Sequence, residues 1–175
     1  MALMLVLLQS CQRNADNADD DIPQEELTDV ILNIKNLNDQ STVSYDYNVG
    51  TQNLPNIKLE DGVSYDVEVV FKNGNENVTQ EIIEAKDEHF LLFNFPKSKI
   101  NLTRIDDEAS TRSDGKKLGI KTHWQVVKAV NSDAPVLILT LIHDAVSVSE
   151  ALDDTTWGKV VGGETDAEAR YEISN

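Results

Sequence analysis

The chain has 175 residues, with 31 Asp and Glu against 15 Lys and Arg, a formal net charge of −16 and a single cysteine. So acidic a chain disfavours nucleic acid and direct attraction to anionic headgroups, which need basic patches, and leaves cations and cationic partners as electrostatic targets. One thiol excludes an internal disulfide framework and Cys-built metal centres, so stability must come from an ordinary apolar core. Most single carboxylates are accounted for as a solvated face that keeps the protein soluble.

In chain order, the first segment is the apolar run from Met1 to Ser10, closed by Cys11 and followed at once by polar, acidic sequence. The run is about the length of a signal-peptide apolar region and far short of the ~20 residues that span a bilayer. Leu8, Ser10 and Cys11 match the −3, −1 and +1 positions of a bacterial lipobox, with Gln9 an unusual −2 residue. Residues 1–10 are therefore read as a lipoprotein signal peptide and Cys11 as the palmitate-bearing anchor. No Lys or Arg precedes the run, so the true start codon is expected upstream. The alternative is a frayed apolar N-terminus with a chance Cys. From residue 11 to 26 the chain carries Asp16, Asp19, Asp20, Asp21, Glu25 and Glu26 with almost no apolar content, the composition of a flexible tether. Residues 27–175 are one domain's worth of sequence.

Past the tether the dominant hydrophobic period is two, which argues for half-buried strands. Val30, Leu32 and Ile34 share one face of a first strand, Val43, Tyr45 and Tyr47 one face of a second, and Ile57–Leu59 is a short third. Val63, Tyr65, Val67, Val69 and Phe71 form the clearest strand, bounded by Asp61-Gly62 and Asn73-Gly74-Asn75, after which a hairpin or tight loop is expected. Val78 to Lys86 is the one helical candidate, with Asn77 or Thr79 as its cap. His89 leads into a strand over Phe90–Phe95. Leu118, Ile120, Thr122, Trp124 and Val126 define the next strand, which turns His123 to solvent. Residues 135–143 are apolar on both parities, as in a central strand, and Ala167, Ala169, Tyr171 and Ile173 mark the last. About eight strands with at most one short helix predict an all-β, immunoglobulin-like antiparallel sandwich, with a small antiparallel barrel as the alternative.

Four pieces in this order carry a family resemblance: the lipobox with its acidic tether; Gln80-Glu81-Ile82-Ile83-Glu84 leading into Asp87-Glu88-His89-Phe90; Ser113 to Ile120; and Leu139 to His143 followed by Gly162-Gly163-Glu164-Thr165-Asp166. Together they resemble a family of short Bacteroidota outer-membrane lipoproteins often labelled "type 1 periplasmic binding fold superfamily protein" and commonly found beside TonB-dependent receptors. The resemblance spans nearly the whole mature chain. It implies a Gram-negative outer-membrane lipoprotein, facing periplasm or cell surface, with a TonB-dependent receptor as partner. The label itself does not suit the chain, because a type 1 periplasmic binding protein needs two α/β lobes and alternating helices. Where family members continue from the later His into a Pro- and Lys-containing loop, this chain reads Asp144-Ala145-Val146-Ser147-Val148.

His89 enters one strand and His143 leaves another, so if those strands are antiparallel neighbours the two imidazoles share one end of a sheet. Asp166 opens the last strand and could reach the same rim, with Glu84, Glu88 and Glu164 as further or outer ligands. Two imidazoles and a carboxylate suit Zn²⁺, or another divalent transition metal less specifically. The plain alternative for each His is a strand-edge residue bonded to a carboxylate. Gly-x-Ser-x-Gly and His-Glu-x-x-His are both missing from the sequence, so a metal-dependent hydrolase ranks last. Asp106-Asp107 and Asp153-Asp154 are expected in solvated turns, and Trp157-Gly158 with Gly162-Gly163 in a long loop whose Trp is a core lid or a binding anchor. The expected function is a non-enzymatic, lipid-anchored accessory protein holding a metal or small ligand for a receptor; the alternative is a ligand-free structural or adhesion-type surface module.

Overall fold

The computed structural model describes residues 27–130 and 135–175. The signal peptide, Cys11 and the tether lie outside the described residues. Two six-stranded sheets pack face to face as an all-β sandwich, and the barrel alternative does not form. The first sheet runs β2 (Thr42–Asn48), β1 (Asp29–Asn36), β4 (Ser64–Asn73), β8 (Lys121–Lys128), β7 (Lys99–Arg104), with β5 (Glu76–Asn77) hairpinned onto β4. The second runs β10 (Ser147–Asp153), β11 (Thr156–Val161), β6 (His89–Asn94), β9 (Val136–His143), β12 (Glu164–Ser174), β3 (Asn56–Lys58). Among the described residues only the β12–β3 pairing is parallel.

Alternation explains which faces meet. Val30, Leu32, Ile34 and Val67, Val69, Phe71 from the first sheet face Leu91, Phe93, Leu137, Leu139, Leu141, Ala169 and Tyr171 from the second in one continuous core. Trp124 is fully buried and sets its edge against Phe93 and Phe95 across the layer. Its indole N–H donates to Thr122 Oγ1 at 2.8 Å. Tyr171 donates its hydroxyl to the Val30 carbonyl at 2.7 Å, tying the two sheets together. Each such large apolar side chain contributes roughly 1.5–3 kcal/mol on burial.

The helix α1 (Thr79–Glu84) is shorter than expected at both ends. Val78 at the N-cap has no side-chain acceptor, so Asn77 Oδ1 accepts the Thr79 N–H at 3.0 Å instead. Residues 73–76 make the expected tight hairpin. His123 faces outward and pairs with Asp66 at 2.8 Å.

Lys99–Arg104, Ser147–Asp153 and Thr156–Val161 are strands that the periodicity does not pick out, and the expected long loop is corrected because Trp157 sits on β11; its side chain packs against the core and donates to the Ile100 carbonyl at 2.9 Å. Residues 118–120 are buried but not laddered. Gly119 has φ +100, and the Leu118 carbonyl is taken by the Leu91 N–H of the opposite sheet and by Arg104. Arg104 lies under Gly119, donates to Leu118 and Leu91 carbonyls at 2.7 and 2.6 Å, and stacks on Phe90; any Cβ at Gly119 would strike its guanidinium. Burial pulls the Arg104 guanidinium down to about 10, so it still carries its charge near neutral pH. Asp106 is not a solvated turn residue. Its carboxylate is buried and accepts the Gly119, Ile120 and Lys121 N–H groups at 3.0, 2.8 and 3.4 Å, anchoring the crossing segment. Asp154 does occupy a turn, at φ +57.

Candidate metal centre

β6 and β9 are antiparallel neighbours, and their register sets His89 directly opposite His143. Directly paired residues have Cβ atoms about 4.5–5.5 Å apart. His89 shares parity with Leu91 and Phe93, and His143 with Leu141 and Leu139, so both imidazoles continue the core-facing rows to the end of the sandwich. Their rings stack at 5.0 Å between centroids and 13° between planes.

Asp166 joins them through a backbone irregularity. Alternation from the inward-facing Ala167 would turn Asp166 outward. A register shift between Thr165 and Ala167 inserts it as an extra residue opposite β9, the arrangement by which a β-bulge re-aims a side chain. Its carboxylate reaches His89 Nε2 at 3.3 Å through Oδ2 and His143 Nδ1 at 3.7 Å through Oδ1. The side chains of His89 and Asp166 are each 6% exposed and that of His143 17%. Gly163, at φ +85, lets β12 arrive this close to β9. A Cβ there would sit 2.7 Å from the His143 carbonyl oxygen and 2.8 Å from Ile142 Cγ2.

The protons are partly fixed by geometry. Ala85 O can only accept, so the 3.0 Å contact with His89 Nδ1 requires a proton on Nδ1. In the neutral ring Nε2 then carries the lone pair, and it is the nitrogen that faces Asp166. Asp166 Oδ1 is buried without a hydrogen-bond partner, one of three such side-chain atoms among the described residues, with Arg104 Nε and Arg112 Nε.

At the rim, His143 Nε2 looks toward Glu88 Oε2 at 3.7 Å and Asp144 Oδ1 at 3.9 Å. Glu164 lies opposite His143 in the β12–β9 register, with its side chain exposed. Glu84 does not join the group through any described contact; it accepts the Gln80 amide along α1 at 3.0 Å. The structure thus unites His89, His143 and Asp166, places Glu88 and Glu164 at the edge, and directs Glu84 to the helix surface. Sequence reasoning missed Asp144, which follows His143 directly and takes a left-handed conformation at φ 53. It also missed Arg112, whose guanidinium donates to the His89 carbonyl at 2.7 Å.

Ligands about 2.0–2.1 Å from a tetrahedral zinc stand roughly 3.3 Å from one another, the same scale as the His–Asp separations seen here. Yet no three or more His, Cys, Asp or Glu side chains among the described residues are grouped so that they could hold a metal ion as they stand. The near-parallel rings of His89 and His143 send their in-plane lone pairs in near-parallel directions rather than to one point. No family model, curated protein or solved structure matches the chain.

Proposed function

We propose that this protein is a non-catalytic, lipid-anchored binding module of the cell envelope whose His89–Asp166–His143 cluster seats a divalent transition ion, Zn²⁺ foremost. The observation that carries the reading is Asp166: a carboxylate 6% exposed, set between two imidazoles, with Oδ1 lacking any hydrogen bond. A buried carboxylate without its bonds costs stability, and a cation supplies the missing partner. His89 is held with Nδ1 protonated, leaving Nε2 for the ion, while the more exposed His143 rotates to converge on it. Glu88 and Asp144 add negative potential at the mouth. Anchoring through Cys11 and delivery to a TonB-dependent receptor rest on the lipobox and the family resemblance.

The stacked, non-convergent rings favour a second reading, a ligand-free surface module in which the cluster is a structural ion network. Zinc titration by calorimetry separates the two. The metal reading expects one bound Zn²⁺ in the wild type and its loss in the His89→Ala, His143→Ala double variant; equal affinity in both proteins sinks it. Palmitate labelling that survives Cys11→Ser would remove the anchor.

A further inference from the structure

We propose that Arg112 is the positioning residue of His89, clamping the turn that fixes the imidazole's tautomer; its bearing on metal affinity rests on the metal reading above. His89 follows α1 through only four turn residues, 85–88. Ala85 O, at the helix end, accepts both the Glu88 N–H and His89 Nδ1–H, each at 3.0 Å. The tautomer therefore depends on where that carbonyl stands relative to the ring. Arg112 Nη1 donates to the Lys86 carbonyl at 3.1 Å and to the His89 carbonyl at 2.7 Å, so one nitrogen grips the turn just after Ala85 and at His89 itself.

The clamp has a rigid base. Arg112 belongs to a small loop closed by its own N–H to Lys116 O at 2.8 Å, by the Gly115 N–H to Arg112 O at 3.0 Å and by the Thr111–Lys117 bridge. The turn grips back, since Asp87 accepts the Ser113 N–H at 2.7 Å and Lys86 donates to the Glu108 and Ala109 carbonyls. The Arg112 side chain is 8% exposed; the Asp114 carboxylate lies 3.6 Å from Nε, which makes no hydrogen bond, and Asp87, its pKa lowered chiefly by the Ser113 N–H, stands close enough for the guanidinium charge to lower it further. Directed at the Lys86 and His89 carbonyls, the guanidinium holds the turn whose Ala85 carbonyl accepts the Nδ1 proton, the kind of contact that orients a metal-binding imidazole.

The test is nitrogen NMR of the histidine rings in metal-free wild type, Arg112→Met and Arg112→Lys, with zinc titration of each. In the wild type His89 Nδ1 carries the proton. In Arg112→Met the ring populates both tautomers and zinc affinity falls about 10–100-fold. Arg112→Lys restores part of both, because an ammonium still donates to the carbonyls without the guanidinium's fixed geometry. If Arg112→Met does not fold, Asp87→Ala loosens the same turn from its exposed side and shifts the tautomer in the same direction. A folded Arg112→Met, or failing that a folded Asp87→Ala, that keeps His89 wholly protonated at Nδ1 overturns the proposal and leaves Arg112 a loop staple. Wild type that binds no zinc overturns the metal reading, and the tautomer measurement then decides Arg112 alone.

Discussion

Gly163 is where the fold and the candidate site meet, and a three-member alanine series measures what it does. Gly74 has φ +58 and open space where a Cβ would stand, so Gly74→Ala reports the left-handed backbone alone, about 1–2 kcal/mol. Gly162 has φ +68, and its Cβ would meet Val146 Cγ2 at 3.0 Å; that side chain is 83% exposed and can swing aside, so Gly162→Ala is expected close to Gly74→Ala. Gly163 has φ +85 and meets the His143 carbonyl oxygen at 2.7 Å and Ala145 Cα at 3.1 Å, backbone atoms that cannot rotate away. Overpacking of this kind adds about 1–3 kcal/mol, for a total of roughly 2–5 kcal/mol. In a domain of this size 1 kcal/mol lowers Tm by about 2–4 °C, so Gly163→Ala should lose roughly 4–20 °C. Urea and thermal melts of the three variants measure the stability differences, and zinc titration of Gly163→Ala reports whether displacing the His143 carbonyl weakens the site. A Gly163→Ala protein within about 0.5 kcal/mol of Gly74→Ala, below the least overpacking term, would refute the backbone wall.

Asp106→Asn replaces an oxygen facing the Gly119 or Ile120 N–H with a donor, so a loss of about 1–3 kcal/mol is expected in denaturant melts. Burial lifts the Asp106 carboxyl above its ordinary value, against the backbone N–H groups that pull it down. An acid that holds its proton more tightly when folded contributes stability below its unfolded pKa, and that contribution is lost as pH rises through the folded one. The stability gap between wild type and Asp106→Asn should therefore shrink as pH climbs through the carboxylate range, and a gap that widens contradicts the assignment. Tyr171→Phe leaves the buried Val30 carbonyl without its cross-sheet donor and should cost about 1–2 kcal/mol in the same melts; no change would mean that water replaces the hydroxyl.

What the sequence discloses depends on periodicity. β4 and β12 are legible because their inward residues, Tyr65 to Phe71 and Ala167 to Ile173, alternate without interruption. His89 and His143 are legible as strand-end residues, and antiparallel pairing then brings them together. Asp166 is only half legible: its place at the start of the last strand can be read, but the bulge that turns it inward has no period of its own. β10 escapes detection because it is a largely exposed edge strand with little apolar sequence, held by its hairpin to β11. Arg104, Asp106 and Arg112 escape for a different reason. Charged residues in loops are ordinarily solvated, and only the chain crossing between sheets at 118–120 and the turn at 85–88 supplies the backbone groups that bury them.

The cluster also stands out against the way the rest of the molecule satisfies its buried charges. Asp106 has three backbone donors, and Arg104 has two buried carbonyls plus an aromatic face, with only its Nε left without a hydrogen bond. Asp166, whose side chain is 6% exposed, has two oxygens that face imidazole nitrogens at 3.3 and 3.7 Å, beyond good hydrogen-bond length on at least one side. Replacing such a group by well-packed apolar side chains commonly leaves stability unchanged or raises it, so stability does not account for a carboxylate and two imidazoles ending three core rows. The same bulge that carries Asp166 inward also interrupts the longest ladder of the second sheet, and Gly163 beside it takes a left-handed backbone that glycine adopts without strain. Departures from local rules that concentrate on one cluster are what a position kept for binding would show, and they favour the proposed site at His89, His143 and Asp166 over the rest of an acidic surface.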